Sequence, residues 1–130
     1  MFDYKLGGAS QVWIAGGIGL TPFMSWMRDI DGNLEQSIDF IYSVRSLEEA
    51  LFLEEIQNTQ ASNPSFRVHL VASNRDGRLG AEKVVELSGP VADKDIFLCG
   101  PPPMMESLTE QFMKMGVPRQ KIHFEEFNFR

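Results

Sequence analysis

Between Gln11 and Phe23 the chain reads Gln-Val-Trp-Ile-Ala-Gly-Gly-Ile-Gly-Leu-Thr-Pro-Phe, an order that leaves few folds open. Residues 12–15 form a short apolar run rich in β-favouring side chains, long enough for one buried strand. Gly16, Gly17 and Gly19 let the backbone turn tightly and let a ligand approach the peptide plane. Thr21 reads as a helix cap, and Pro22 fits a first turn that needs no N–H. Phe23, Trp26, Met27 and Ile30 follow at the i, i+3, i+4, i+7 spacing of a half-buried helix. A strand, a glycine turn and a helix N-terminus together make an anion site of backbone N–H groups and positive dipole. The same letters also fit a plain strand-to-helix turn whose glycines serve packing alone.

The rest of the chain repeats the alternation. Strand patterns occupy 37–43, 66–72, 95–99 and 121–127. The S-x-x-E capping box of Ser46 and Glu49 predicts a helix from Ser46 to near Thr59, with Leu47, Ala50, Leu51, Leu53 and Ile56 on its core face. Residues 73–80 read as a polar loop, 81–87 as a short helix, and 103–115 as a helix presenting Met104, Met105, Leu108, Phe112 and Met115. Such alternation predicts βαβ units, right-handed crossovers and a mostly parallel sheet covered on both faces. Ligands of these α/β sheets bind outside the carboxyl ends of the strands, at the topological switch point. The strand ends are therefore where function is sought.

Bulk properties remove several classes. A length of 130 residues fits one domain with its own core. A net charge of −6 disfavours nucleic acid as a partner. The single cysteine, Cys99, allows neither an intrachain disulfide nor a thiolate-bound metal cluster, and points to a reducing, cytoplasmic setting. His69 and His123 sit in strand patterns without a companion ligand motif, so both read as structural and no metal site is assigned. No apolar run approaches the roughly eighteen residues of a membrane span. The abrupt start, with about ten residues before the first strand, reads as a minimal protein or as a domain from something longer.

The first strand end spells Gly17-x-Gly19-x-x-Pro22, with proline where a dinucleotide fingerprint carries its third glycine, and it lacks the Walker lysine. At the second end, Ser43-Val-Arg45-Ser46 offers an arginine suited to a 2′-phosphate and no acid for ribose hydroxyls, which leans towards NADPH and leaves NADH open; the same arginine also fits a solvated position near a helix N-terminus. Arg75 and Arg78 are further candidates for that pocket. The fourth end, Cys99-Gly-Pro-Pro-Pro-Met104, runs a strand through a rigid turn into a helix. It is expected to hold Cys99 at the strand mouth and leave Gly100 bare for a flat ligand. Read without the first motif, Cys99 is a small buried hydrophobe and the prolines only break structure.

Taken together, Gly-Gly-Ile-Gly-Leu-Thr-Pro-Phe, Tyr-Ser-Val-Arg, Cys-Gly-Pro-Pro-Pro-Met and a terminal Glu-Glu-Phe resemble the nicotinamide-binding domain of the ferredoxin–NADP reductase superfamily. The likeness is greatest to the ferric reductase and NADPH oxidase branch, bacterial ferric reductases in particular. It implies a Rossmann-like α/β fold, a five-stranded parallel sheet of order 3-2-1-4-5 with helices on both faces. By the resemblance Gly16, Gly17, Gly19, Thr21 and Pro22 hold the pyrophosphate and nicotinamide ribose, and Ser43 and Arg45 meet the adenosine 2′-phosphate. Cys99, Gly100, Pro101 and Pro102 line the nicotinamide of NADPH or NADH, with Met104 behind. Cys99 and Glu125 stand nearest the reaction, and Phe127 matches the aromatic that covers the flavin. The chain runs three residues past Phe127, which departs from the family's ending.

The family's FAD-binding β-barrel, with its Arg-x-Tyr-Ser/Thr motif, has no counterpart in this sequence. The expected arrangement is thus one NAD(P)-binding domain, 1–130, inactive alone and working with an FAD domain of the same parent. That parent would pass electrons to haem, ferric iron or another acceptor, with a membrane haem domain and inner-membrane anchoring as in relatives of the branch. The alternative keeps the fold and drops the catalysis, as a nucleotide-sensing regulatory module. A catalytic thiol at Cys99 is disfavoured, because no cationic neighbour or resolving cysteine accompanies it.

Overall fold

A computed structural model of the chain describes residues 2–30, 32 and 34–125. Its elements run β1 (Ser10–Gly16), α1 (Thr21–Asp29), β2 (Ser37–Val44), α2 (Leu53–Ser62), β3 (Phe66–Ala72), the single turn α3 (Ser73–Asp76), α4 (Ala81–Ser88), β4 (Asp95–Cys99), α5 (Pro102–Lys114) and β5 (Ile122–Glu125). The five strands form one sheet of order β3-β2-β1-β4-β5, and every neighbouring pair is parallel. This is the predicted sheet.

Strand β1 lies at its centre, paired with β2 on one side and β4 on the other, and both of its faces are apolar. Val12 and Ile14 enter one core with Ile41, Leu98, α4 and α5, while Trp13 and Ala15 enter the other with Phe40, Phe97, α1 and α2. That period-two split places helices on both faces. Trp13 anchors the second core, stacked on Phe23 at 5.7 Å and edge-on to Trp26 at 5.1 Å. Its indole N–H donates to buried Gln11 at 3.0 Å, and Gln11 donates in turn to the Tyr4 carbonyl at 2.8 Å. Among the described residues no helix is long and apolar enough to cross a membrane.

Several predicted boundaries are corrected. The capping box of Ser46 and Glu49 forms, but it caps only a 3-10 turn, Leu47–Glu49. The buried Tyr42 hydroxyl accepts the Leu51 N–H at 3.1 Å, and Phe52 adopts φ 58°, so the chain leaves the helical path before α2 begins. Leu47 and Leu51 are consequently exposed rather than core. Met115 also lies outside the core, beyond the end of α5. The polar loop 73–80 opens with the turn α3. Strand β5 is described as far as Glu125, and the rest of the expected strand, with Phe127, lies outside the described residues.

Candidate functional site at the carboxyl edge of the sheet

The direction in which strands are added reverses about β1: β2 and β3 lie on one side, β4 and β5 on the other. At that switch point the turns after β1, β2, β3 and β4 enclose a groove of about 510 Å³. Gly16 and Gly17 contribute from the first turn, Ser43 and Arg45 from the second, Ser73 and Arg78 from the third, and Pro101 and Met104 from the fourth. Four separated stretches of sequence are thereby brought to one wall-and-floor arrangement.

The glycines there answer to different demands. Gly17 is exposed at φ +55°, with open space where a side chain would stand, so its requirement is conformational and its peptide faces the groove. Gly19 is buried, and a methyl on it would collide with the Cys99 carbonyl; it locks the first turn against the fourth. A methyl on Gly16 would come within 2.6 Å of the Met104 sulfur. Gly100 is not bare as expected: it is buried, 3.2 Å from the Gly16 backbone measured from its would-be methyl, under the Met104 terminal methyl. Close backbone packing, rather than ligand access, excludes side chains at Gly19 and Gly100.

Thr21 does not cap. It has helical φ and ψ as the first residue of α1, and its hydroxyl donates back to the Ile18 carbonyl at 3.4 Å. A 3-10 turn, Gly17–Leu20, leads into the helix instead, and Pro22 occupies its first turn. Thr21, Pro22 and Gly19 sit behind the groove rather than on its lining. Pro102 faces a different cavity of about 350 Å³, with Met105, Glu106, Arg119 and Phe124, while Pro103 takes the place in the main groove.

Cys99 lies beneath the groove, fully buried and paired across the sheet with Ala15 and Glu125. Its thiol contacts the Glu125 carbonyl at 3.6 Å. Burial, with a smaller contribution from the Glu125 charge, pushes the thiol up from an ordinary 9.0 to about 12. A thiol held protonated is a poor nucleophile, so Cys99 packs as a small neutral residue beneath the groove and is unsuited to covalent chemistry.

The charged side chains divide unexpectedly. Arg75 is engaged by its neighbour Asp76 at 2.9 and 2.8 Å. Hydrogen bonds from Arg75 and the Ala72 N–H bring the Asp76 carboxyl down to about 2. Arg78, by contrast, lines the groove and makes no ion pair among the described residues. Arg45 meets Glu49 at 3.3 and 3.4 Å. An acid does therefore stand at the end of β2, contrary to expectation: Glu49 lines the groove, four residues after Arg45. Its signal was in the sequence as the capping box, which folds the third residue of a helix back over the cap and hence over the strand that precedes it. His69 and His123 bond Asp39 at 2.9 Å and Asp95 at 3.0 Å, inside strand pairs and away from the groove.

Residues 13–110 match the family model described as the oxidoreductase NAD-binding domain. The chain is 32% identical over 133 aligned residues to one component of the Na(+)-translocating NADH-quinone reductase of Pseudomonas aeruginosa, covering 92% of this chain and 33% of that one. It is 27% identical to flavohemoprotein A of Dictyostelium discoideum, covering 88% of this chain and 29% of the relative. The crystal structure of flavohemoglobin from Malassezia yamatoensis with bound FAD and heme superposes with a TM-score of 0.80 at 28% identity, over 93% of this chain and 32% of that one. The chain spans about a third of the length of the curated relatives it matches.

Proposed function

Because the chain belongs to the oxidoreductase NAD-binding domain family, within the ferredoxin reductase superfamily, we propose that it binds NAD(P)H and presents the nicotinamide to FAD held by another domain of its parent protein. The observation that carries this reading is the convergence of Gly17, Ser43, Arg78 and Pro101, from four strand ends, on one groove. Its volume of about 510 Å³ is that of an ordinary cofactor site, and its lining combines an exposed glycine peptide with two arginines, as a diphosphate requires. The nicotinamide, when bound, supplies a hydride and FAD accepts it.

The chain's own residues bind and orient. Gly17 offers its peptide and the approach to the N-terminus of α1 to the pyrophosphate, and Arg78 balances its charge. Ser43 stands at the adenosine end. The wall made by Gly16, Pro101 and Met104 confines the nicotinamide half, while Cys99 and Gly100 close the floor beneath and keep water out. Glu125, which pairs with Cys99 from β5, is assigned the positioning of the ring on the family resemblance. No residue here is required as a general acid or base.

Within the superfamily we assign the chain to the ferric reductase branch, on its terminal Glu-Glu-Phe-Asn-Phe-Arg sequence. On that assignment the isolated domain is inactive, because the FAD lies elsewhere. The parent passes electrons to haem, ferric iron or another acceptor, and a membrane haem domain anchors it in the inner membrane. FAD and heme together in the similar flavohemoglobin support the pairing of these cofactors, though not the membrane location. The binding reading is tested by calorimetry on the full chain with NADH and NADPH. An Arg78→Ala variant is expected to weaken both about tenfold, the cost of one charge-assisted hydrogen bond. Unchanged affinity for both would remove Arg78, and with it this groove, from the cofactor site.

A further inference from the structure

We infer that Glu49 sets the cofactor preference of the groove, favouring NADH by repelling the 2′-phosphate of NADPH. The inference rests on the groove being the dinucleotide site and specifies which dinucleotide it takes. Two features of Glu49 carry it. First, its carboxylate lies at the carboxyl end of β2, where sheets of this type meet the adenosine ribose, and it lines the groove with Ser43 and Arg45. Second, it is held there independently of Arg45. Its Oε2 accepts the Ser46 N–H at 3.1 Å and the Ser46 hydroxyl at 3.2 Å, within the capping box.

Arg45 is the looser partner of that pair. Its side chain is 82% exposed, and its bonds to Glu49, at 3.3 and 3.4 Å, are long for an ion pair. Swinging Arg45 toward an incoming phosphate would leave the Glu49 charge where it is. A 2′-phosphate brings close to two negative charges to that carboxylate, whereas a 2′-hydroxyl can donate a hydrogen bond to it. Arg78, free of an ion pair among the described residues, is left for the pyrophosphate that both cofactors share. The arginine at the end of β2 therefore does not report a preference for NADPH, because its charge is already answered.

The test compares full-length wild type with Glu49→Gln, binding NADH, NADPH and their adenosine halves 5′-ADP and 2′,5′-ADP. Glutamine serves a capping box as glutamate does, so the variant removes the charge and keeps the turn. Wild type is expected to bind 5′-ADP and NADH more tightly than their 2′-phosphorylated counterparts. E49Q is expected to shift both ratios about tenfold toward the phosphorylated ligands. Ratios that stay put in E49Q, with binding intact, overturn the role of Glu49 and leave the site standing. Failure of wild type to bind any of the four overturns the site and this inference together.

Discussion

Cys99 shows what burial does to a residue whose chemistry looks inviting in the sequence. Its position at the end of β4 was legible from the apolar run before Gly100, but its accessibility was not, because the Gly19 turn that covers it comes from eighty residues earlier in the chain. The same holds for the glycines themselves. Sequence alone treats Gly17, Gly19 and Gly100 alike, whereas only the packed structure separates the exposed left-handed one from the two that touch backbone. The thiol has a consequence for stability. Its folded pKa is raised from 9.0 to about 12, so the folded state holds the proton that the unfolded chain gives up. Stability is thus fully present below pH 9 and declines as pH rises toward 12. Urea midpoints measured across that range should fall more steeply for wild type than for Cys99→Ala, and equal slopes would show that the thiol is not held protonated by burial.

Among the elements, β2 carries a polar residue in an otherwise apolar run, and its partner strand explains it. Asp39 is buried between Arg67, which grips it with two bonds of 2.9 Å, and His69 at 2.9 Å, both on β3. Burial alone would raise this carboxyl, but the hydrogen bonds from His69 and Arg67 outweigh it and hold the group below its ordinary value. The clamp fixes the register of a strand pair that would otherwise rely on apolar side chains alone. Replacing Asp39 by alanine strands the two donors and should cost about 2 kcal/mol in urea unfolding at neutral pH. A loss below about 0.5 kcal/mol would mean that the pair contributes nothing beyond solvated charges. The start of α2 marks the opposite case, where local signals mislead. The capping box at Ser46 is real, yet the hydroxyl of Tyr42, a residue read only as strand, ends the turn it begins.

At the scale of the molecule, most of the architecture was readable because strand and helix periods alternate along the chain, with glycine or proline marking the ends of β1 and β4. The sheet order came from the family resemblance, because β2 and β4 are buried on both faces as β1 is and burial alone does not rank them. The groove was readable in part: Gly17, Ser43, Arg45, Pro101 and Met104 line it as their strand-end positions imply. The capping box announced the fold-back of Glu49 but not its place beside Arg45 in the groove, and the distinction between Arg75 and Arg78 had no sequence signal, since it depends on how a loop folds back. On the proposed function, the groove is one half of a hydride-transfer site whose FAD is held by another domain. That claim is most directly tested by stopped-flow reduction of FAD by NAD(P)H in the parent protein, comparing wild type with Gly17→Val. The substitution forces a β-branched side chain onto φ +55° at the exposed peptide of the groove. With circular dichroism showing the fold retained, the account predicts that flavin reduction slows about a hundredfold. Reduction at the wild-type rate would contradict it.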